Sequence, residues 1–213
     1  IRSITKASRF FLENPPLCFK NNKLMTQYGG SLFIANKNQS KLVDKELEYA
    51  KSLSANVFEI NKKEVLNMVP ILREEYIDRA LHEPDSKVMD VDLIHQGFAR
   101  GLKENNGEII FNSEVQKIIK NNGLWKLETK SDQFVSPVVI NAAGAWCDKI
   151  AILADCHPLN LSPKRRTVII FEHPANINTT KWPVVIDIED NFYFKSEAGK
   201  ILASPADETD SAT

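Results

Sequence analysis

Apolar residues recur at helical steps over residues 92–105, where Ile94, Phe98 and Leu102 form one line and Gly97 and Gly101 a neighbouring one. That spacing predicts an amphipathic helix whose glycines let a neighbour come close, with Gly107 as its C-terminal stop. The same period carries Leu42, Leu47, Ala50 and Leu53 through a charged stretch and predicts a helix over 41–55. A shorter helix is expected over 61–69, closed by Pro70. Residues 1–12 also read as helical, and Asn14-Pro15-Pro16 must end that helix, because proline restricts the residue before it and supplies no N–H.

Elsewhere the pattern shortens to apolar runs bounded by turn residues, the mark of strands. Residues 24–28 and 31–35 flank Gly29-Gly30 and predict a hairpin. The runs 108–111, 115–119, 125–129 and 134–135, separated by Asn121-Asn122-Gly123 and Ser131-Asp132, predict an antiparallel meander. Residues 138–142 form a continuous apolar run, expected to be a buried strand. It ends in Ala143-Gly144-Ala145-Trp146, with an apolar helix expected over Cys147–Leu153. After His157-Pro158, the runs 167–171, 184–187, 192–195 and 200–203 predict a second, mostly antiparallel sheet in a different layer.

Composition narrows the function classes. With 43% hydrophobic and 26% charged residues, the 213-residue chain can bury a core and is not disordered throughout. Lys+Arg 27 against Asp+Glu 28 leaves a net charge of -1, so nothing resembles the broad basic field of a nucleic-acid binder. No apolar run reaches the length of a membrane span. Cys18, Cys147 and Cys156 form no C-x-x-C pair, and reduced thiols in the cytoplasm are the expectation. The chain opens at Ile1 without a methionine and reads as an internal piece.

The strongest chemical signal is Asn141-Ala142-Ala143-Gly144-Ala145-Trp146. Small residues between a strand and a helix let backbone approach a ligand, and the free amides of the helix start suit a polar or anionic group. A tight turn without a ligand is the other reading of the same residues. Gly-x-Gly-x-x-Gly is absent from the chain, and His82, His95, His157 and His173 stand too far apart to suggest a metal site. Asp187, Glu189 and Asp190 lack the glycine and final glutamate of a calcium loop and are expected to form a solvated turn. Cys147 fits a buried helix cysteine, or a nucleophile if exposed with a histidine in reach. Arg165 and Arg166 carry forked donors suited to a carboxylate or phosphate, or they form a solvated face. Tyr193 alternates with Phe192 and Phe194 along a strand and so points to the opposite face.

Taken together, these residues carry a resemblance. Val138-Val139-Ile140-Asn141-Ala142-Ala143-Gly144-Ala145-Trp146 resembles the second flavin-contacting motif of the glycine and D-amino acid oxidase family of FAD-dependent oxidoreductases. Upstream, Val88–Asp90, the following helix, Gly107-Glu108-Ile109 and Val115 keep the family order. Ser8-Arg9-Phe10-Phe11, Tyr28-Gly29-Gly30-Ser31-Leu32-Phe33, Pro163-Lys164-Arg165-Arg166, Tyr193-Phe194-Lys195 and Leu202-Ala203-Ser204-Pro205-Ala206-Asp207-Glu208-Thr209 are similar to a branch of uncharacterised members. Ser196 departs from it, standing where many members carry proline.

The resemblance implies an α/β fold in which part of a dinucleotide-binding, glutathione-reductase-like FAD domain is interleaved with a mixed-sheet substrate domain. Residues 1–84 and 157–213 would belong to the substrate domain and 85–156 to the FAD domain, with the glycine-rich unit and the C-terminal segment of the family outside these residues. It implies FAD as cofactor, held by Val115, Ala142, Ala143, Gly144 and Trp146. Tyr193 would orient the substrate, with Arg165 or Arg166 on its carboxylate. The activity implied is hydride transfer from the alpha carbon of an amino acid or amine to flavin, followed by imine hydrolysis. A 2-hydroxy acid oxidoreductase, a hydrolase using Cys147, and a truncated non-catalytic or interaction module are the alternatives. Small amino acids or amines are the expected partners, with neither nucleic acid nor a membrane span, and self-association through exposed sheet edges is a further expectation.

Overall fold

A computed structural model describes residues 2–53 and 56–212. The elements in chain order begin with α1 (Arg2–Glu13), β1 (Met25–Thr26), β2 (Ser31–Ala35), α2 (Ser40–Ser52) and β3 (Phe58–Ile60). They continue with α3 (Lys62–Met68), β4 (Arg79–Glu83), β5 (Val88–Met89) and α4 (Val91–Glu104). Strands β6 (Lys117–Asn121), β7 (Leu124–Glu128) and β8 (Gln133–Ser136) precede α5 (Cys147–Leu153) and β9 (Lys164–Arg165). The last are β10 (Ile169–Phe171), β11 (Val184–Asp187), β12 (Tyr193–Glu197), β13 (Lys200–Ser204) and β14 (Thr209–Asp210). Two compact units result, one of residues 1–105 and 166–207, the other of 106–165 and 208–213.

The larger unit is built on a seven-stranded mixed sheet of order β10-β13-β12-β11-β2-β4-β3. Pairing of β2 with β11 is parallel and every other pairing in it is antiparallel. The late strands therefore share one sheet with the early ones and belong to a different sheet from the meander β6-β7-β8, as the sequence suggested. Alternation along the strands sends Leu32, Ile34, Ile60, Ala80, Val185 and Ile201 to one face, packed with Trp182, with Val65 of α3 and with Val69 just after it. Ala35 and Leu81 go to the other face beneath Val43 of α2. The short α3 starts with a capping box: Asn61 accepts from the Glu64 amide and Glu64 accepts from the Asn61 amide.

The expected hairpin across Gly29-Gly30 does not form; β1 pairs with β5 instead, and β2 lies between β4 and β11. Gly30 (φ 81) turns the chain so closely past β4 that a Cβ there would stand 2.2 Å from the Glu83 carbonyl oxygen. Arg79 joins three segments: Nε and Nη2 donate to Glu59 at 2.7 and 2.8 Å, Nη2 to Asp44 at 2.7 Å and Nη1 to the Ser40 carbonyl at 3.0 Å. These bonds, Glu59's first and Asp44's second, raise the guanidinium far above its ordinary pKa and lower both carboxyls.

Helix α4 bears out the reading of its glycines. Phe19 lies on Gly97, with its ring carbons 2.0–2.7 Å from where a Cβ would be, and Cys18 Sγ lies 3.1 Å from the same point on Gly101. Phe19 packs edge-on against Phe11 and Phe98, at 5.6 and 5.3 Å between ring centroids. Asp90 caps the helix by accepting from the Leu93 amide at 2.9 Å.

The smaller unit holds the antiparallel meander β6-β7-β8 as the turn residues predicted, and a two-stranded β9–β14 pair. Two expectations for this unit are corrected. Residues 108–111 and 138–142 are extended or irregular, not strands, and Ile110, Phe111, Val138 and Ile140 are exposed. Among the described residues neither run belongs to a sheet, and an apolar run becomes a strand only where another strand meets its N–H and C=O groups. The first helix, read as 1–12, is described from Arg2 to Glu13; Ile1, and Ser54 and Ala55 of the predicted second helix, lie outside the described residues.

Candidate functional site

The turn at 141–146 is organised by Asn141. Its Nδ2 donates to the Cys147 carbonyl at 2.8 Å while its Oδ1 accepts from the Ala143 amide at 3.3 Å, so one side chain spans the turn from strand-like entry to helix start. Nothing in the residue pattern beyond an Asn at a turn pointed to that role. Gly144 has φ 57 and open space where a Cβ would be, and Gly144–Trp146 form one 3-10 turn leading into α5. The amides of Gly144 and Ala145, first in that turn, have no acceptor within it. Ala142 is exposed, Ala143 half-buried and Trp146 exposed. Val115 is half-buried in the same unit. Beyond α5, Asp148 accepts from the amides of Leu159 and Leu161 at 2.9 and 2.7 Å and so anchors the returning chain.

These five positions are therefore on one unit, while Tyr193 and Arg166 belong to the other. Tyr193 is half-buried on β12, paired in register with Ile186 and Ser204 on the face opposite Phe194, whose ring packs on Trp182 at 6.5 Å. The alternation read from the sequence holds. Arg165 lies exposed on β9 opposite Thr209, and among the described residues its guanidinium has no partner. Lys164 beside it is engaged by Asp210, and that bond holds the Asp210 carboxyl below its ordinary range. Arg166 is exposed as well.

Sequence reasoning missed Asp187. It was expected in a solvated turn, yet it is fully buried at the end of β11. Its carboxylate accepts from Gln39 Nε2 at 3.0 and 3.1 Å, Tyr76 Oη at 2.7 Å, Asn191 Nδ2 at 2.8 Å, and the Glu189 and Asn191 amides at 3.2 and 3.3 Å. Burial pushes its pKa up, but the bonds from Tyr76, Gln39 and the two amides outweigh it and hold the carboxyl below the ordinary aspartate range. Burial first, and the bond to Asp187 next, raise the Tyr76 phenol. The network fastens the β11–β12 turn that carries Tyr193 to the N-terminus of α2 and to the 3-10 turn Glu74–Tyr76.

One unit is a mixed sheet packed by helices and the other carries a small-residue turn that opens a helix, which makes this a two-unit α/β protein. Residues 17–213 match the family model described as FAD dependent oxidoreductase, and the chain belongs to that family. It is similar to L-proline dehydrogenase from P. horikoshii, with a TM-score of 0.78 at 19% identity over 95% of this chain and 54% of that one. Glycine oxidase from Geobacillus kaustophilus gives a TM-score of 0.77 at 17% identity over 99% of this chain and 55% of that one. The uncharacterized oxidoreductase YurR of Bacillus subtilis (strain 168) is 26% identical over 107 residues, 50% of this chain and 28% of YurR. The chain thus spans about half the length of the structures it matches.

Among the described residues no helix is long and apolar enough to cross a membrane.

Proposed function

We propose that this chain supplies part of the cofactor site and the substrate sheet of an FAD-dependent oxidoreductase acting on amino acids or related amines. The observation that carries this reading is the turn at 141–146, where a left-handed glycine with open space above it and two amides with no acceptor inside the 3-10 turn meet in a chain of this family. These features fit a flavin nucleotide, which needs close backbone approach and donors for its polar groups. Val115, Ala142, Ala143, Gly144 and Trp146 would hold it.

Bound FAD supplies the two-electron acceptor for an alpha-carbon hydride. The substrate nitrogen must be neutral, so that its lone pair closes the C=N bond as the hydride leaves; the nitrogen then sheds a proton, and water hydrolyses the imine. Tyr193 Oη, half-buried on the sheet face opposite Phe194, is suited to hydrogen-bond the substrate carboxylate, with Arg165 or Arg166 as the cation. The unpaired thiols of Cys18, Cys147 and Cys156 suit a cytoplasmic setting.

Titration of FAD into the purified chain tests the cofactor half of the reading. Saturable quenching of flavin fluorescence near one FAD per chain is expected, and Gly144→Val should weaken it at least about tenfold, because the side chain enters the open space and the left-handed backbone is strained. In flavin-loaded enzyme containing this chain, Tyr193→Phe should raise KM for the amino acid about tenfold with kcat within a few-fold, the loss of one charge-assisted hydrogen bond. An unchanged KM would remove Tyr193 from substrate binding.

A second reading, a non-catalytic interaction module, is favoured by the exposed Ile110, Phe111, Val138 and Ile140, an apolar surface suited to pairing with another segment or a second copy. Failure to take up FAD, together with concentration-dependent self-association, would favour it.

A further inference from the structure

We propose that the cleft between residues 71–77 and the sheet binds a small carboxylate with a branched apolar body. It encloses about 280 Å³ and opens partly to solvent. Ile34 of β2, with Phe192 just before β12 and Phe194 within it, forms one wall, and Leu72 and Ile77 form the other. This is the sheet face opposite Tyr193, because Phe194 pairs with Val185 on the core side while Tyr193 pairs with Ile186 on the other.

Two lining residues carry polar groups, and their states differ. Tyr76 Oη already donates to the buried Asp187 at 2.7 Å, so its hydroxyl proton is engaged away from an occupant. Arg73 lines the rim, is exposed, and among the described residues makes no ion pair and no side-chain hydrogen bond. Glu74 and Glu75 follow it in the chain, but neither lines the cleft. An occupant must therefore bring an apolar body inward and can gain a forked, charge-assisted contact at the rim only by presenting an anion there. A cation meets repulsion, and a neutral amide has one carbonyl oxygen where a carboxylate has two. The volume lies at the small end of ligand pockets, which limits the body to about one branched chain of five or six carbons.

Isotope-labelled isoleucine and leucine methyl groups of the full chain give the test, with 4-methylpentanoate as probe and 4-methylpentanamide as its neutral counterpart. The acid should shift the methyl signals of Ile34, Leu72 and Ile77 saturably with a Kd of roughly 1 mM, and the amide should bind about tenfold more weakly. Arg73→Gln, a change at an exposed position, should bring acid and amide to equal affinity, and Leu72→Trp should abolish both by filling the cleft. Equal binding of acid and amide by the unaltered chain, or an acid preference that survives Arg73→Gln, overturns the proposal. So do acid-induced shifts confined to Ile186 and Leu202 on the Tyr193 face, which would place the acid in the substrate region.

Discussion

Asp187→Ala should lower the stability of the protein by about 3 kcal/mol, because two buried neutral donors each lose a hydrogen bond to a charged acceptor worth about 1.5 kcal/mol or more. Its carboxylate is fully buried, and its loss takes the charged acceptor from the Tyr76 hydroxyl and the buried Gln39 amide, which keeps only Glu189 Oε2 at 2.9 Å, and from the part-buried Asn191 side chain and the Glu189 and Asn191 backbone N–H groups. Urea unfolding followed by tryptophan fluorescence reads the change, since Trp182 is buried in the same core. Asp187→Asn separates charge from shape, because one carboxylate oxygen becomes an NH2 that faces donors. The pH dependence has a definite sign. The folded-state pKa lies below the ordinary aspartate value of about 3.9, so the contribution is complete above that value and is lost as pH falls through the lower, folded one. The gap between the native chain and Asp187→Asn should therefore be constant around neutrality and narrow below about pH 4. Equal stabilities at pH 7 would show that the network contributes nothing.

Gly97→Ala should also destabilise, against the trend for helices. Alanine in place of glycine ordinarily favours an exposed helix interior by about 1 kcal/mol. At this position the new methyl would stand 2.0 Å from Phe19 Cδ1, and Phe19 is 1% exposed with Phe11 and Phe98 against its ring. The ring has no free volume to retreat into, so overpacking of about 1–3 kcal/mol exceeds the helical gain. The double variant Gly97→Ala with Phe19→Leu should recover part of the loss, a coupling that thermal unfolding of the four proteins in the cycle would measure. Additive losses would place the cause outside this contact. The same substitution at Gly101 should be milder, because there the nearest atom is Cys18 Sγ at 3.1 Å and that side chain is movable.

The sheet and the site differ in how much of each was legible along the chain. Helix α4 was visible from its period and its glycines, and α3 as a short run closed by Pro70. The meander was visible from Asn122-Gly123 and Ser131-Asp132, and the turn at 141–146 from its run of small residues. In each case the deciding interactions lie within one element or between chain neighbours. Strand β2 shows the opposite case. The apolar run at 31–35 announced a strand, but Gly29-Gly30 suggested the wrong partner, since the choice of β4 and β11 depends on which apolar faces can be buried together.

Local pattern was also silent on Asp187, a charged residue among other acidic ones near a turn. Its burial depends on Gln39, 148 residues away, and on Tyr76, 111 residues away, and no spacing along the chain encodes donors that meet only after the sheet has formed. By itself, then, the sequence determined the helices, the meander, the alternation that puts Tyr193 opposite Phe194, and the small-residue turn, because short-range sterics and hydrogen bonds decide these. Tertiary structure alone decided strand order, the burial of Asp187, the open runs at 108–111 and 138–142 and the cleft beside Arg73, because each is set by which distant groups come to share one interior.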